Sequence, residues 1–153
     1  MATLALNKQA RHNYHILETY EAGLILKGYE VKAIKGNQAN LKGSYISFKK
    51  QNGNLVPFLL QAHIPLYRPA GIVENYEAQA PRQLLLHRSE INRLLGKAKE
   101  AGLTLIPLRI YTKHSFLKLE IAVAKGKKQV DKREDIKKRD LDRRLRSLTK
   151  RKV

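Results

Sequence analysis

Between Lys125 and Val153 the chain carries 14 lysines and arginines against 5 acids, a net charge of +9 in 29 residues. A segment with that balance has too few apolar side chains to offset the chain entropy lost on folding. A globular core must therefore come from the preceding 124 residues, which hold 17 basic and 8 acidic side chains. The expected organisation is one domain of residues 1–124 followed by a basic tail of residues 125–153.

The tail is more than a polycation. Glu134–Lys138, Asp135–Arg139, Asp140–Arg144 and Asp142–Arg146 are acid-before-base pairs at i,i+4, each worth roughly 0.2–0.5 kcal/mol once a helix exists. Asp131 followed by Glu134 resembles a capping box, which would start a helix near Asp131. Leu141, Leu145 and Leu148 fall within about 60° of one another on a helical wheel. Isolated helices of this length are marginal in water. The expectation is a tail disordered alone and helical when bound to a polyanionic surface.

The whole chain has 153 residues and a net charge of +18, which points to an anionic partner, nucleic acid first. No apolar run approaches membrane-spanning length, and no membrane partner is expected. The first residues, MATLALNKQARHNYH, show no apolar core of a secretory signal, so a cytoplasmic location is expected. The absence of cysteine excludes disulfides and thiolate metal sites.

Apolar and aromatic residues recur mostly at even positions from His12 to Leu26, predicting a long strand, with Ala22-Gly23 as a candidate bulge. Gly28 to Lys35 predicts a short helix closed by Gly36. Leu41 to Lys49 and Leu55 to Ile64 flank Asn52-Gly53, a strong hairpin signal, although Pro57 calls for an edge position or a bulge. Residues 65–83 contain three prolines and no period, and predict a long loop. Arg88 to Ala101 predicts a helix capped by His87 or Ser89, with Ile91, Leu94, Leu95 and Ala98 on one face and Gly102 at its end. Leu103 to Thr112 and Phe116 to Ala124 predict a second hairpin around Lys113-His114-Ser115. The sum is a mainly β fold: an antiparallel barrel of the OB type with two or three flanking helices.

Catalytic and cofactor patterns are missing. The five histidines, His12, His15, His63, His87 and His114, are scattered, and no metal, phosphate-loop or nucleophile motif occurs. The binding signal is better: Asn7, Lys8, Arg11, His12 and Tyr14 put cations, an amide and flat rings in one short segment, the mixture that contacts phosphates and stacks on bases. Gly126-Lys127-Lys128 opens the tail with a hinge and paired charges. Neither feature separates RNA from DNA. A structural ribosomal protein and a general single-strand binder share the barrel and basic tail, and an RNA-cleaving enzyme would have to use His12 and Glu21.

Several runs together resemble the small protein B (SmpB) family, the SsrA-binding proteins of bacterial trans-translation. They are Asn7-Lys8-Gln9-Ala10-Arg11-His12-Asn13-Tyr14, Tyr20-Glu21-Ala22-Gly23-Leu24, Gly28-Tyr29-Glu30-Val31-Lys32, Ala39-Asn40-Leu41, Leu84-Leu85-Leu86-His87, Gly102 to Leu108, and Ala124 to Arg133. The resemblance implies an OB-fold barrel that binds the tRNA-like domain of transfer-messenger RNA (tmRNA) and delivers it to stalled ribosomes, mimicking part of a tRNA. It implies no catalysis or cofactor, and contact with elongation factor Tu and alanyl-tRNA synthetase only through the RNA. By matched position, Asn7, Lys8, Arg11, His12, Tyr14, Glu21 and Leu85 would face tmRNA. Gly126, Lys127, Lys128, Asp131, Lys132, Arg133, Lys137 and Arg139 would enter the decoding centre and the empty mRNA channel. Val130 stands where the family often has His or Tyr, Lys35 where it has Arg, Gln38 where it has Lys and Gly43 where it has an acid. The Asp-Pro-x-Arg loop is not recognisable in residues 77–82.

Overall fold

The computed structural model describes residues 2–151, with the backbone alone for 129–131 and 148–151; the predicted Asp131 cap, Val130 and Leu148 of the leucine stripe therefore lie outside the described side chains. In chain order the elements are β1 (Thr3–Leu6), α1 (Ala10–Asn13), β2 (Tyr14–Leu24), α2 (Gly28–Lys35), β3 (Tyr45–Gln51), β4 (Asn54–Leu60), a 3-10 turn (Arg68–Ala70), β5 (Arg82–Leu85), α3 (Arg88–Ala98), β6 (Leu103–Lys113), β7 (Phe116–Gly126) and α4 (Gln129–Arg151). The strands form one antiparallel sheet in the order β1-β6-β7-β2-β5-β4-β3, and β3 comes back beside β6 so that the sheet curls into a barrel. Among the described residues no helix is long and apolar enough to cross a membrane.

The main core gathers Leu59, Leu84, Ile110, Leu119, Ile121 and Val123 of the strands with Ile34 of α2 and Leu94 of α3, all fully buried. Burial of each such side chain contributes roughly 1.5–3 kcal/mol. A second, smaller cluster of Ala10, Ile106, Leu108, Ala122 and Ala124, with Tyr14 and Ile16 against it, lies on the opposite side of the same strands, under α1. β7 serves both by simple alternation, odd residues inward and even residues outward.

β2 serves both by a bulge. Ile16 pairs with Ala124 and Glu18 with Val123, which leaves Leu17 unpaired. The even-position pattern that marks this strand in the sequence thus changes faces midway: Tyr14 and Ile16 pack under α1, while Tyr20, Ala22 and Leu24 pack into the barrel. The bulge is at Leu17 and not at Ala22-Gly23, where the ladder is regular. β6 repeats the device, with Leu108 unpaired between Pro107 and Arg109. A proline beside a bulge avoids the missing ladder donor.

The first expected strand begins two residues late, because Ala10 to Asn13 forms α1. β1 and β5 were not separable by pattern, being only four residues each. β5 occupies residues 82–83 of the expected loop. β4 is neither an edge strand nor bulged: it is paired by β3 and β5, but β5 contacts only Phe58 and Leu59, so Pro57 lies just outside the doubly paired part. Asn52 and Gly53 form the expected turn with φ of 49° and 80°, the left-handed values that a two-residue hairpin demands. The helix at Gly28–Lys35 is as expected, yet Gly36 has φ −83° and it is Asn37, at φ 58°, that takes the left-handed position. α3 starts after His87 as expected and ends at Ala98, with Gly102 at φ 80° in the turn to β6; Leu94 alone of its apolar face is fully buried.

α4 begins at Gln129. Its charge pairing differs from the i,i+4 scheme: Asp135 reaches Lys127, and Asp140 lies 3.9 Å from Arg143, at i,i+3. Leu141 and Leu145 are exposed.

Candidate nucleic-acid interface

The outer wall of β6, β7 and β2 is floored at one end by the small cluster under α1 and left open at the other. Arg109, Glu120 and Glu21 stand side by side across the three strands, because Arg109 pairs with Glu120 and Glu120 with Glu21. One rung further, Tyr111, Lys118 and Gly23 are in register, with Leu85 opposite Gly23 on β5. This alternation lays a polar strip beside an apolar step.

At the α1 end, Lys8, Arg11, Arg109 and Glu120 line a groove of about 170 Å³. Asn7 forms its wall: its Nδ2 donates to the Pro107 carbonyl at 2.9 Å and its backbone N–H to Leu108 at 2.8 Å. The Pro107–Leu108 irregularity thus frees the carbonyls that hold Asn7. At the other end a hollow of about 350 Å³ is lined by Glu21, Gly23, Leu85, His87 and Lys118. Leu85 is 55% exposed there. It lies against Gly23, where an added Cβ would stand 3.2 Å from the Leu85 Cβ.

Glu21 is held in place. The Tyr111 hydroxyl donates to its carboxylate, and Lys113 Nζ lies 3.3 Å away. The Tyr111 bond, with the Lys113 charge behind it, keeps the Glu21 carboxyl below its ordinary range despite some desolvation. Burial, followed by the bond to Glu21, raises the Tyr111 phenol well above its ordinary value. The Arg109 guanidinium sits 4.3 Å from the Tyr111 ring centre and 3.2 Å from Glu120. Its planar face is thus fixed by cation–π contact.

The sequence-matched residues divide. Asn7, Lys8, Arg11, Glu21 and Leu85 share the outer wall. Tyr14 is half-buried in the cluster under α1, and His12 faces the tail, with Arg139 Nη2 3.5 Å from its Nδ1. Gly126 closes β7 opposite Tyr14. Lys128, Arg133 and Lys137 are exposed, and Lys132 is half-buried. Lys127 is turned inward. Sequence reasoning passed over Arg109, Tyr111, Lys113 and Lys118; the signal was the charged side chains at outward positions of the β6–β7 hairpin. Among the described residues no cluster of His, Asp or Glu has a metal-binding arrangement.

A family model described as SmpB protein matches residues 4–151. An SsrA-binding protein of Thermosipho africanus is 52% identical over 152 residues, covering 99% of both chains, and one of Geobacillus thermodenitrificans is 49% identical over 93% of this chain and 88% of its own. A solved chain described as "tmRNA-SmpB: a journey to the center of the bacterial ribosome" is 41% identical with a TM-score of 0.66, covering 84% of this chain and 87% of that one. The match spans barrel and tail alike, and the chain belongs to the SmpB protein family.

Proposed function

We propose that the protein is an RNA-binding adaptor of ribosome rescue, in which the body of residues 1–124 binds the tRNA-like domain of tmRNA and the tail of residues 125–153 enters the decoding centre and vacant mRNA channel of a stalled ribosome. The observation that carries this reading is the presence of two cationic surfaces: the outer wall, with Lys8, Arg11 and Arg109 at one end and Lys118 with exposed Leu85 at the other, and the exposed charges of α4. Relatives named SsrA-binding protein and the tmRNA-SmpB likeness support the identity of the RNA. Phosphate contacts supply affinity on both surfaces, and an apolar step such as Leu85 supplies shape.

The adaptor needs no chemistry of its own. Glu21 accepts from Tyr111 and Lys113, and His12 faces Arg139, so the two groups an RNA-cleaving mechanism would require are engaged separately. Elongation factor Tu and alanyl-tRNA synthetase would meet the protein through the RNA.

Sequencing the RNA that co-purifies from cells tests the reading. One dominant structured transcript with a tRNA-like end is expected, and an unselective mixture would overturn it. In a full-length chain with Arg143, Arg144 and Arg146 changed to Gln, that RNA should still bind while rescue of stalled ribosomes falls.

A further inference from the structure

Arg109 differs from the other cations of the outer wall in how it is held. Its Nε donates to Glu120 at 3.2 Å and its Nη1 to the Thr3 hydroxyl at 3.3 Å, so β7 anchors the guanidinium on one side and β1 on the other. One face of the group lies 4.3 Å from the centre of the Tyr111 ring, and Tyr111 beneath it is only 3% exposed. The Arg109 side chain itself keeps 29% of its surface open. Directly across on β1, Leu6 pairs with Arg109 and is 58% exposed. This part of the wall therefore presents a flat, fixed and charge-paired group beside an apolar side chain. Both line the groove of Lys8 and Arg11, whose own side chains are exposed.

We infer that the Arg109 guanidinium, backed by Tyr111, is a stacking subsite for one unpaired nucleobase of the bound RNA, with Leu6 against the base and Lys8 and Arg11 taking the neighbouring phosphates. The inference rests on the proposed binding of the tRNA-like domain of tmRNA and names a contact within it. A phosphate contact draws on free donors and net positive charge, and Arg109 has committed two donors to Thr3 and Glu120 and its charge to Glu120. What remains to offer is its plane. Splayed bases stack on guanidinium planes as they do on aromatic rings, and a plane already fixed over Tyr111 loses little freedom when a base arrives. The groove, at about 170 Å³, is smaller than the roughly 300 Å³ of a pocket that encloses a whole small molecule, and so suits a single flat group. Every base has a π-face, so the subsite selects an unstacked base rather than a sequence. That separates a fold with open loops from plain duplex, which phosphate contacts alone do not.

Two full-length variants with the parent's net charge separate plane from charge. Arg109→Lys keeps the cation and loses the plane; Arg109→Tyr combined with Glu120→Gln keeps a flat group and loses the ion pair. In filter binding to the tRNA-like domain of tmRNA, Arg109→Lys is expected to bind about tenfold more weakly than the parent, and the Tyr–Gln variant more tightly than Arg109→Lys. Parent-like binding by Arg109→Lys, or a Tyr–Gln variant that binds no better than it, would overturn the inference. Lysine can still pair with Glu120, so the melting temperature of Arg109→Lys should stay near the parent's. A further readout needs no variant to fold beyond assigning the signal: in the parent, the NMR resonance of the Arg109 Nε–H should persist on RNA binding and move upfield under the ring current of the base. A resonance that does not move upfield would overturn the subsite. A blunt RNA duplex tests the wider reading separately. A parent that binds the duplex as tightly as the tRNA-like domain removes the proposed function, whereas a parent that prefers the tRNA-like domain, with Arg109→Lys unimpaired, removes the subsite alone.

Discussion

The Glu30 carboxylate and the Arg82 guanidinium meet at 2.7 Å with side chains only 10% and 3% exposed, tying α2 to β5. Arg82 also donates to the carbonyls of Ala62 and Ala78, so this one guanidinium fastens both ends of the long segment between β4 and β5. Its Nη2 has no partner among the described residues. Glu30→Gln removes the counter-charge from a buried cation, and the expected loss is about 3–5 kcal/mol. Urea unfolding checks it, as a lower midpoint at unchanged slope.

Glu21 and Tyr111 give a pH signature. The folded-state pKa of Glu21 is depressed, chiefly by the Tyr111 hydroxyl and then by Lys113, so its contribution is complete above the ordinary carboxylate range and is lost as pH falls through the folded value. Tyr111→Phe should move the Glu21 titration up toward the ordinary value. Carbon-detected NMR of the side-chain carboxyl measures this directly, and an unmoved titration would mean that Lys113 alone sets it.

The second hairpin is built on less suitable residues than the first. His114 and Ser115 occupy the turn at φ 49° and 67°, where Asn and Gly sit in the β3–β4 hairpin. An L-residue with a side chain in this region costs roughly 1–2 kcal/mol. Changing the pair to Asn-Gly is expected to stabilise the protein by about 1 kcal/mol, visible as a rise of a few degrees in melting temperature.

On the outer wall, Arg11→Ala and Gly23→Ala should weaken RNA binding in different ways. The first would remove a proposed phosphate contact and lower the salt slope by about one. The second presses a Cβ against Leu85 and displaces it, so affinity falls while the slope stays the same. Filter binding at several salt concentrations separates the two.

These cases show what the sequence made legible. The Asn-Gly turn and the helix after His87 are local signals, decided by a few neighbouring residues, and they were readable. The face changes at Leu17 and Leu108 were not, because an unbroken apolar alternation looks the same whether it lines one core or two. β1 and β5 escaped because four residues carry too little period. At the site, the charges of the N-terminal segment were legible by composition. That His12 and Tyr14 turn away from Lys8 and Arg11 depends on α1, a single helical turn held by tertiary contacts, and that Lys127 turns inward depends on where α1 leaves its carbonyls.

The unpaired Leu17 has a consequence for length variation. Losing one residue from a strand ordinarily throws every residue on one side of the gap onto the wrong face. Here Ile16 and Glu18 already face opposite sides and pair with consecutive residues of β7. A chain lacking Leu17 would close its ladder without moving any other side chain across the sheet. This makes Leu17, exposed and in the middle of a strand, a place where a deletion should be tolerated; at Leu108 the same deletion would take a buried leucine from the cluster under α1.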